Sequence, residues 1–366
     1  MESPFLKAVH ERVVIYDGAM GSLIQDMNPS LDDFWGKENC SEVLNLSRPE
    51  MIRDIHAQYL RVGADVIETN TFGATNIVLG EFGLQDRVVE INHAAVKLAR
   101  EAAAQFSTAD RPRFVAGSVG PTTKLPSLAH ITFDDMLASY VDQMHALIEA
   151  GVDVLLIETS QDILQTKIAI AAAFDAMVAA GKRVPLQVQV TLQESGTMLL
   201  GTDITAALTI LDAYDIDIVG LNCATGPREM NDAVRYLCHN TSKHVSVLPN
   251  AGLPHNEGGR GVYKLTPQEL AQRQVEITAW AKQVAAMGVA LDPRALGATA
   301  ANFSVEGDKI VSHDESSDPT FRNLVFFDSA SRDQAVNIAR THPGLHYGST
   351  VEVREWTDPR QAAAKP

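Results

Sequence analysis

Cysteine is scarce: Cys40, Cys223 and Cys238 are the only three in 366 residues. An odd, sparse count does not build a disulfide framework, which leaves reduced thiols or one thiolate ligand. Basic residues are outnumbered, 30 Lys and Arg against 46 Asp and Glu, for a formal charge of -16. A phosphate backbone needs clustered Lys and Arg to displace its counterions, so the charge excludes nucleic acid as a partner. No run approaches the roughly 18 apolar residues of a membrane span. The opening Met1-Glu2-Ser3-Pro4-Phe5 has neither the basic stretch nor the apolar run of a signal peptide, so the expected location is cytoplasmic, away from membranes. Missing too is a glycine-rich dinucleotide fingerprint after the first strand, which argues against a doubly wound sheet.

What is present is ordinary globular composition, 45% hydrophobic and 21% charged, in a chain long enough for one large barrel and a smaller piece. Short β-branched apolar runs recur, each followed by a stretch with helical spacing, the pattern of repeated βα units. Seven strands are expected: Val13 to Tyr16, Ala64 to Thr69, Phe114 to Ser118, Val152 to Thr159, Leu186 to Thr191, Asp217 to Asn222 and Val245 to Leu248. Between them lie helices such as Pro49 to Arg61, Asn92 to Ala104, Phe133 to Glu149 and Ile163 to Ala179, and Thr266-Pro267-Gln268-Glu269 reads as a capping box opening another. This predicts an α/β (β/α)8 barrel of the TIM type whose eighth strand is not evident, over residues 1–285. Residues 286–366 read as a small α+β segment, with strands at Asn302 to Val305, Lys309 to Val311, Leu324 to Phe327 and Thr350 to Val353, a hairpin turn at Glu306-Gly307-Asp308, and one helix, Ser331 to Arg340.

In a parallel barrel the C-terminal strand ends converge on one face, so polar groups there are the candidates for function. Asp17-Gly18-Ala19-Met20-Gly21 ends the first strand in a turn that either leaves amides free for an anion or is a plain βα turn. Glu68 and Asn70 mark the end of the second strand, Ser118 that of the third and Glu158 that of the fourth. A carboxylate in such a place is matched by a cationic ligand, for which a substrate amino group would suit Glu158, or is satisfied by neighbouring backbone amides. Asn222-Cys223 puts a thiol at the mouth, and the turn formers around Asn250 and Gly252 suit a shaped loop over the same face.

Together Asp17-Gly18-Ala19-Met20-Gly21, Leu31-Asp32-Asp33-Phe34-Trp35-Gly36, Glu68-Thr69-Asn70-Thr71-Phe72-Gly73, Gly220-Leu221-Asn222-Cys223 and Pro249-Asn250-Ala251-Gly252-Leu253-Pro254 closely resemble the homocysteine-binding domain of cobalamin-dependent methionine synthases, within the homocysteine S-methyltransferase family. The likeness runs from about residue 13 to about residue 280. It implies a methyltransferase in which zinc, held by three cysteine thiolates, lowers the pKa of the homocysteine sulfur. The sulfur then takes a methyl group from methylcobalamin on a partner module, giving methionine. Carried across, Cys223 is the first zinc ligand. The Asp17, Gly18, Ala19 and Met20 turn and Glu158 hold the amino-acid end of homocysteine, while Glu68, Asn70 and Asn222 shape the sulfur end. The family's other two ligands are adjacent cysteines after the eighth strand, and nothing of the kind follows Cys223; Cys238 is expected just after the helical segment Met230 to Leu237, not at a strand end. A non-catalytic amino-acid-binding barrel or an inactive fusion therefore stands as the alternative. The tail more weakly resembles the later part of a YCII-related domain, through Val305-Glu306-Gly307-Asp308-Lys309 and Gly348-Ser349-Thr350-Val351-Glu352-Val353-Arg354.

Overall fold

A computed structural model describes residues 3–257, 260–263, 265–268, 299–306, 309–313, 331–342 and 351–354. It divides into two compact units, Met1–Leu253 and Pro254–Pro366. Chain order in the first is α1 (Pro4–Glu11), α2 (Met20–Asp26), α3 (Leu44–Ser47), α4 (Pro49–Val62), β1 (Val66–Glu68), α5 (Asn76–Gly80), α6 (Val88–Phe106) and β2 (Phe114–Val119). There follow α7 (Phe133–Ala150), β3 (Val154–Ser160), α8 (Ile163–Ala179), β4 (Leu186–Val190), α9 (Ile204–Leu211), β5 (Ile218–Asn222), α10 (Pro227–Asn240) and β6 (His244–Leu248). β1 to β6 pair in parallel in that sequential order, the α/β arrangement of a TIM-type barrel.

The expected first strand contributes one parallel bridge, Tyr16 to Val66, rather than a ladder. Val13 and Ile15 are exposed, so the segment gains little from burial that would extend its pairing. Cys238 lies inside α10, which runs on to Asn240, and not beyond its end. Among the described residues no helix is long and apolar enough to cross a membrane.

Alternation along the strands builds two apolar layers. Val66, Phe114, Ala116, Val154, Leu156 and Ile218 pack inward with Phe5 and Ala8 of α1, which closes the N-terminal end of the lumen, Phe5 meeting Phe114 edge to face at 5.5 Å. The alternate residues Ile67, Val115, Leu155, Ile157, Val188, Val219 and Leu221 face the outer helices.

The register of these layers is fixed by a repeated device at the N-terminal ends of β1, β3 and β5. Asp65 N–H donates to the Ile15 carbonyl at 2.7 Å while Asp65 Oδ2 accepts the Ile15 N–H at 3.0 Å. Asp153 makes the same reciprocal pair with Val115, at 2.9 and 2.8 Å, and Asp217 with Leu186, at 2.9 and 2.7 Å. Each carboxylate is also paired with arginine: Asp153 with Arg100, Asp217 with Arg183, and the buried Asp65 with Arg12, Arg111 and Arg113. α4 and α7 both stop at a left-handed glycine, Gly63 and Gly151, two residues before the aspartate. The repeat is visible as Gly63-Ala64-Asp65-Val66 and Gly151-Val152-Asp153-Val154.

In the second unit the strands Thr299–Glu306, Lys309–His313 and Val351–Arg354 form an antiparallel sheet with Thr299–Glu306 at its centre, and Pro254–Glu257 pairs with Arg260–Tyr263 as a separate hairpin that the sequence pattern did not reveal. The helix Arg332–Arg340 is capped by Ser331 and packs Ala339 with Val353, joined by Ala335, Val336 and Val351. Glu306 pairs with Lys309 in the antiparallel ladder, while Gly307 and Asp308 of the expected turn lie outside the described residues. The strand expected at Leu324 to Phe327, most of the helix expected after Thr266, and the join near Trp280 lie outside the described residues.

Burial alone would push the Asp65 carboxyl up, but the Arg12 hydrogen bonds, the Ile15 N–H and Arg111 outweigh it and hold the group below the ordinary carboxylate value. A depressed folded value means stability that is complete above the unfolded pKa and lost as pH falls through the folded one. Asp65→Ala, which leaves three arginines around an empty position, is expected to cost about 3 kcal/mol in denaturant unfolding at neutral pH. The difference from wild type should shrink on acidification below about pH 4. An equal stability at pH 7 would refute the bracket.

Candidate active site

Climbing β1, β2, β3 and β5 from the packed base, the inward side chains turn from apolar to polar. β1 runs Val66 to Glu68, β2 Phe114, Ala116, Ser118, β3 Val154, Leu156, Glu158, and β5 Ile218, Gly220, Asn222. The last of each lies at the barrel mouth, and Ser118, Glu158 and Asn222 are buried.

These three side chains form one hydrogen-bonded unit. Ser118 Oγ donates to Glu158 Oε1 at 2.5 Å, and Asn222 Nδ2 donates to Glu158 Oε2 at 3.1 Å. The same Nδ2 lies 3.4 Å from Cys223 Sγ. Asn222 Oδ1 accepts the Thr159 N–H at 2.8 Å and the Thr191 hydroxyl at 3.3 Å. Cys223 and Ala224 both have left-handed backbones, φ 56° and 58°, which turn the chain sharply as it leaves β5.

The Asp17 turn sits beside them. Asp17 Oδ2 accepts the Glu68 N–H at 3.0 Å, whereas Oδ1, also buried, has no partner among the described residues. Gly18 passes so close to Tyr59 that a Cβ there would meet its hydroxyl at 3.0 Å, and that hydroxyl donates to the Ala19 carbonyl at 3.3 Å. Met20 begins α2 and packs near Ile24 and Ile52.

Asp17, Glu68 and Glu158 thus share one pocket of field, and among the described residues no Lys or Arg pairs with any of them. Loss of water raises all three carboxyls; the Glu158 charge raises Asp17 further, and Glu158, Asp17 and the Cys223 thiol raise Glu68. Burial and then the Glu158 charge outweigh the donors Thr159 and Asn222 and push the Cys223 thiol up as well. A site of this kind is built to receive a cation.

Asn70 goes elsewhere. Its Nδ2 donates to the Ser41 carbonyl at 2.8 Å and to Asn45 Oδ1 at 3.3 Å, so its amide ties β1 to the first long loop. Asn250 and Gly252 fold against the Cys223 turn: Asn250 N–H donates to the Thr225 carbonyl at 3.0 Å, and a Cβ on Gly226 would meet the Gly252 Cα at 2.6 Å.

Zinc held by three thiolates does not fit this chain. Cys40 is fully buried in an apolar cluster with Val43, Ala74 and Leu79, Cys238 is exposed on α10, and neither joins Cys223 at the mouth. Among the described residues no three His, Cys, Asp or Glu side chains are grouped to hold a metal.

Comparison with known proteins agrees with this geometry. The profile of the homocysteine S-methyltransferase family matches residues 14–290. The chain belongs to that family. It is 41% identical over 271 residues to a methionine synthase of Mycobacterium leprae and 40% identical over 302 residues to one of Mycobacterium tuberculosis, matches that take in 74% and 82% of this chain. The chain spans about a quarter of the length of those relatives, 22% and 25%. The homocysteine methyltransferase MmuM from Escherichia coli, solved in a metallated form, superposes with a TM-score of 0.56 at 26% identity, over 67% of this chain and 86% of MmuM. Members of the family with these names are methyltransferases, and the chain has their α/β barrel framework.

Four residues at or below the mouth, Thr159, Tyr16, Gln187 and Gln189, carry no motif that marked them as site candidates. Thr159 binds Glu158, Asn222 and Cys223, and Tyr16 donates across the lumen to Gln187 Oε1 at 2.7 Å. Gln187 and Gln189 in turn donate to Ser246 of β6. Two glutamines two apart on a strand flanked by apolar residues were the available signal.

Elemental analysis of the purified chain is expected to find far less than one zinc per molecule, with Cys223→Ser unchanged. One zinc per chain that disappears in Cys223→Ser would overturn the mismatch of donors.

Proposed function

We propose that this chain is the homocysteine-recognising part of a methionine synthase type S-methyltransferase, and that it presents the amino acid for methylation to methionine. The observation that supports this best is the single hydrogen-bonded unit joining Glu158, Asn222 and Cys223, because it offers an anionic group for an ammonium and a thiol for the sulfur end of one small ligand.

In this reading the ammonium group lies against Glu158, with the charges of Asp17 and Glu68 adding to its attraction. A charge-assisted hydrogen bond between ammonium and carboxylate is roughly twice as strong as a neutral one. The Asp17 to Met20 turn takes the substrate carboxylate, and Asn222 orients the sulfur end. The donor this reading implies is methylcobalamin on a partner module, in keeping with a chain that spans about a quarter of its relatives. In this reading activation of the homocysteine thiol is completed from outside, since among the described residues no three-thiolate zinc set forms and the mouth carboxylates disfavour a further anion.

Calorimetric titration with homocysteine tests the reading. Binding is expected, and Glu158→Gln should weaken it by about tenfold or more, the worth of a lost charge-assisted bond. Because the three carboxyls are raised in the free protein and an ammonium stabilises their charged forms, binding should release protons, and affinity should rise as pH increases above the ordinary carboxylate range. Equal affinity in Glu158→Gln would remove the amino-group assignment.

A further inference from the structure

Thr159 occupies a position its residue type resists. It is β-branched, yet its φ is +55°, in the left-handed region where a branched side chain is a true outlier. The register of β3 on β4 breaks between Ile157 and Ser160, so Glu158 and Thr159 form a bulge. Bulges of this kind re-aim side chains beside active sites.

Strain of this kind persists only where the surroundings over-determine it. Here Asn222 grips Thr159 twice, its Oδ1 accepting the backbone N–H at 2.8 Å and its Nδ2 donating to the hydroxyl at 2.8 Å. Glycine or asparagine would take the same backbone more cheaply, but neither offers a hydroxyl. That hydroxyl has one hydrogen to give and two acceptors, Glu158 Oε2 at 3.4 Å and Cys223 Sγ at 3.7 Å.

We propose that Thr159 is a positioning residue that couples the two ends of the site: its hydroxyl hydrogen is shared between Glu158 and the Cys223 sulfur, and passes to the sulfur when a ligand ammonium engages Glu158. The coupling rests on the amine-recognition reading of Glu158; the hydroxyl's contact with the sulfur does not. Thr159→Val keeps the shape and the branched backbone while deleting the donor, and Thr159→Ser restores it.

Two measurements decide the matter, with thermal midpoints first checked to agree within about 2 °C so that folding is not the variable. In the absence of ligand, alkylation of Cys223 by iodoacetamide is followed peptide by peptide, with exposed Cys238 as internal reference. The hydroxyl's contact holds the sulfur in one place, so its loss should change the alkylation rate of the valine variant about threefold, and the serine variant should react like wild type. In titrations, the preference for homocysteine over norvaline, which has the amine and no sulfur, should fall about threefold in the valine variant and return in serine. If the valine variant fails to fold, Thr159→Ala replaces it. Unchanged alkylation overturns the role of the hydroxyl whatever the titrations give, and an unchanged preference in a protein that binds both ligands overturns the coupling. A wild-type protein that binds neither removes the proposed function, while alkylation still decides on Thr159.

Discussion

Side chains alternate along a strand, so a slip of one residue in β3 would send Ile157 into the lumen and turn Glu158 out toward the helices. Every polar group at the mouth depends on that register. The barrel holds it from the opposite end, where Asp65, Asp153 and Asp217 each close a reciprocal pair of hydrogen bonds with the preceding strand or strand segment. A carboxylate can accept an N–H only from a neighbour in the right register, and the arginines around it hold its charge in place. Stability at the base and chemistry at the mouth are thus one problem of strand alignment, in keeping with the division of labour between the two faces of a barrel.

At the mouth the governing fact is uncompensated negative charge. Asp17, Glu68 and Glu158 act on one another across a region of low water content, and no described Lys or Arg relieves them. Such a site favours an ammonium and opposes a thiolate. On the proposed reading the two ends of homocysteine make opposite demands, and the carboxylates answer only the first. A divalent cation would answer the second, but the chain's other two thiols are spent in an apolar cluster and on an outer helix.

Much of this was legible in the residues. The βα rhythm fixed the fold class, and the strings around Asp17, Glu68, Asn222 and Asn250 pointed to the family, because turn geometry and polar strand ends leave compact local marks. The mouth residues were also foreseen as strand ends, since period-two alternation carries from the apolar base to Ser118, Glu158 and Asn222. Asn70 shows the limit of that logic: it follows the same strand as Glu68, yet its amide serves the loop of Ser41 and Asn45, a partner some 25 residues away that no local pattern names.

By itself the sequence determined the parallel α/β barrel, the acidic character of the site and the shortage of thiols, all of which follow from composition and short-range periodicity. Tertiary structure alone decided that the expected first strand shrinks to one β-bridge at Tyr16, that three aspartates bracket the register, and that a strained threonine joins carboxylate to thiol. Those outcomes turn on contacts between residues tens of positions apart, where geometry and burial, not local preference, choose the partner.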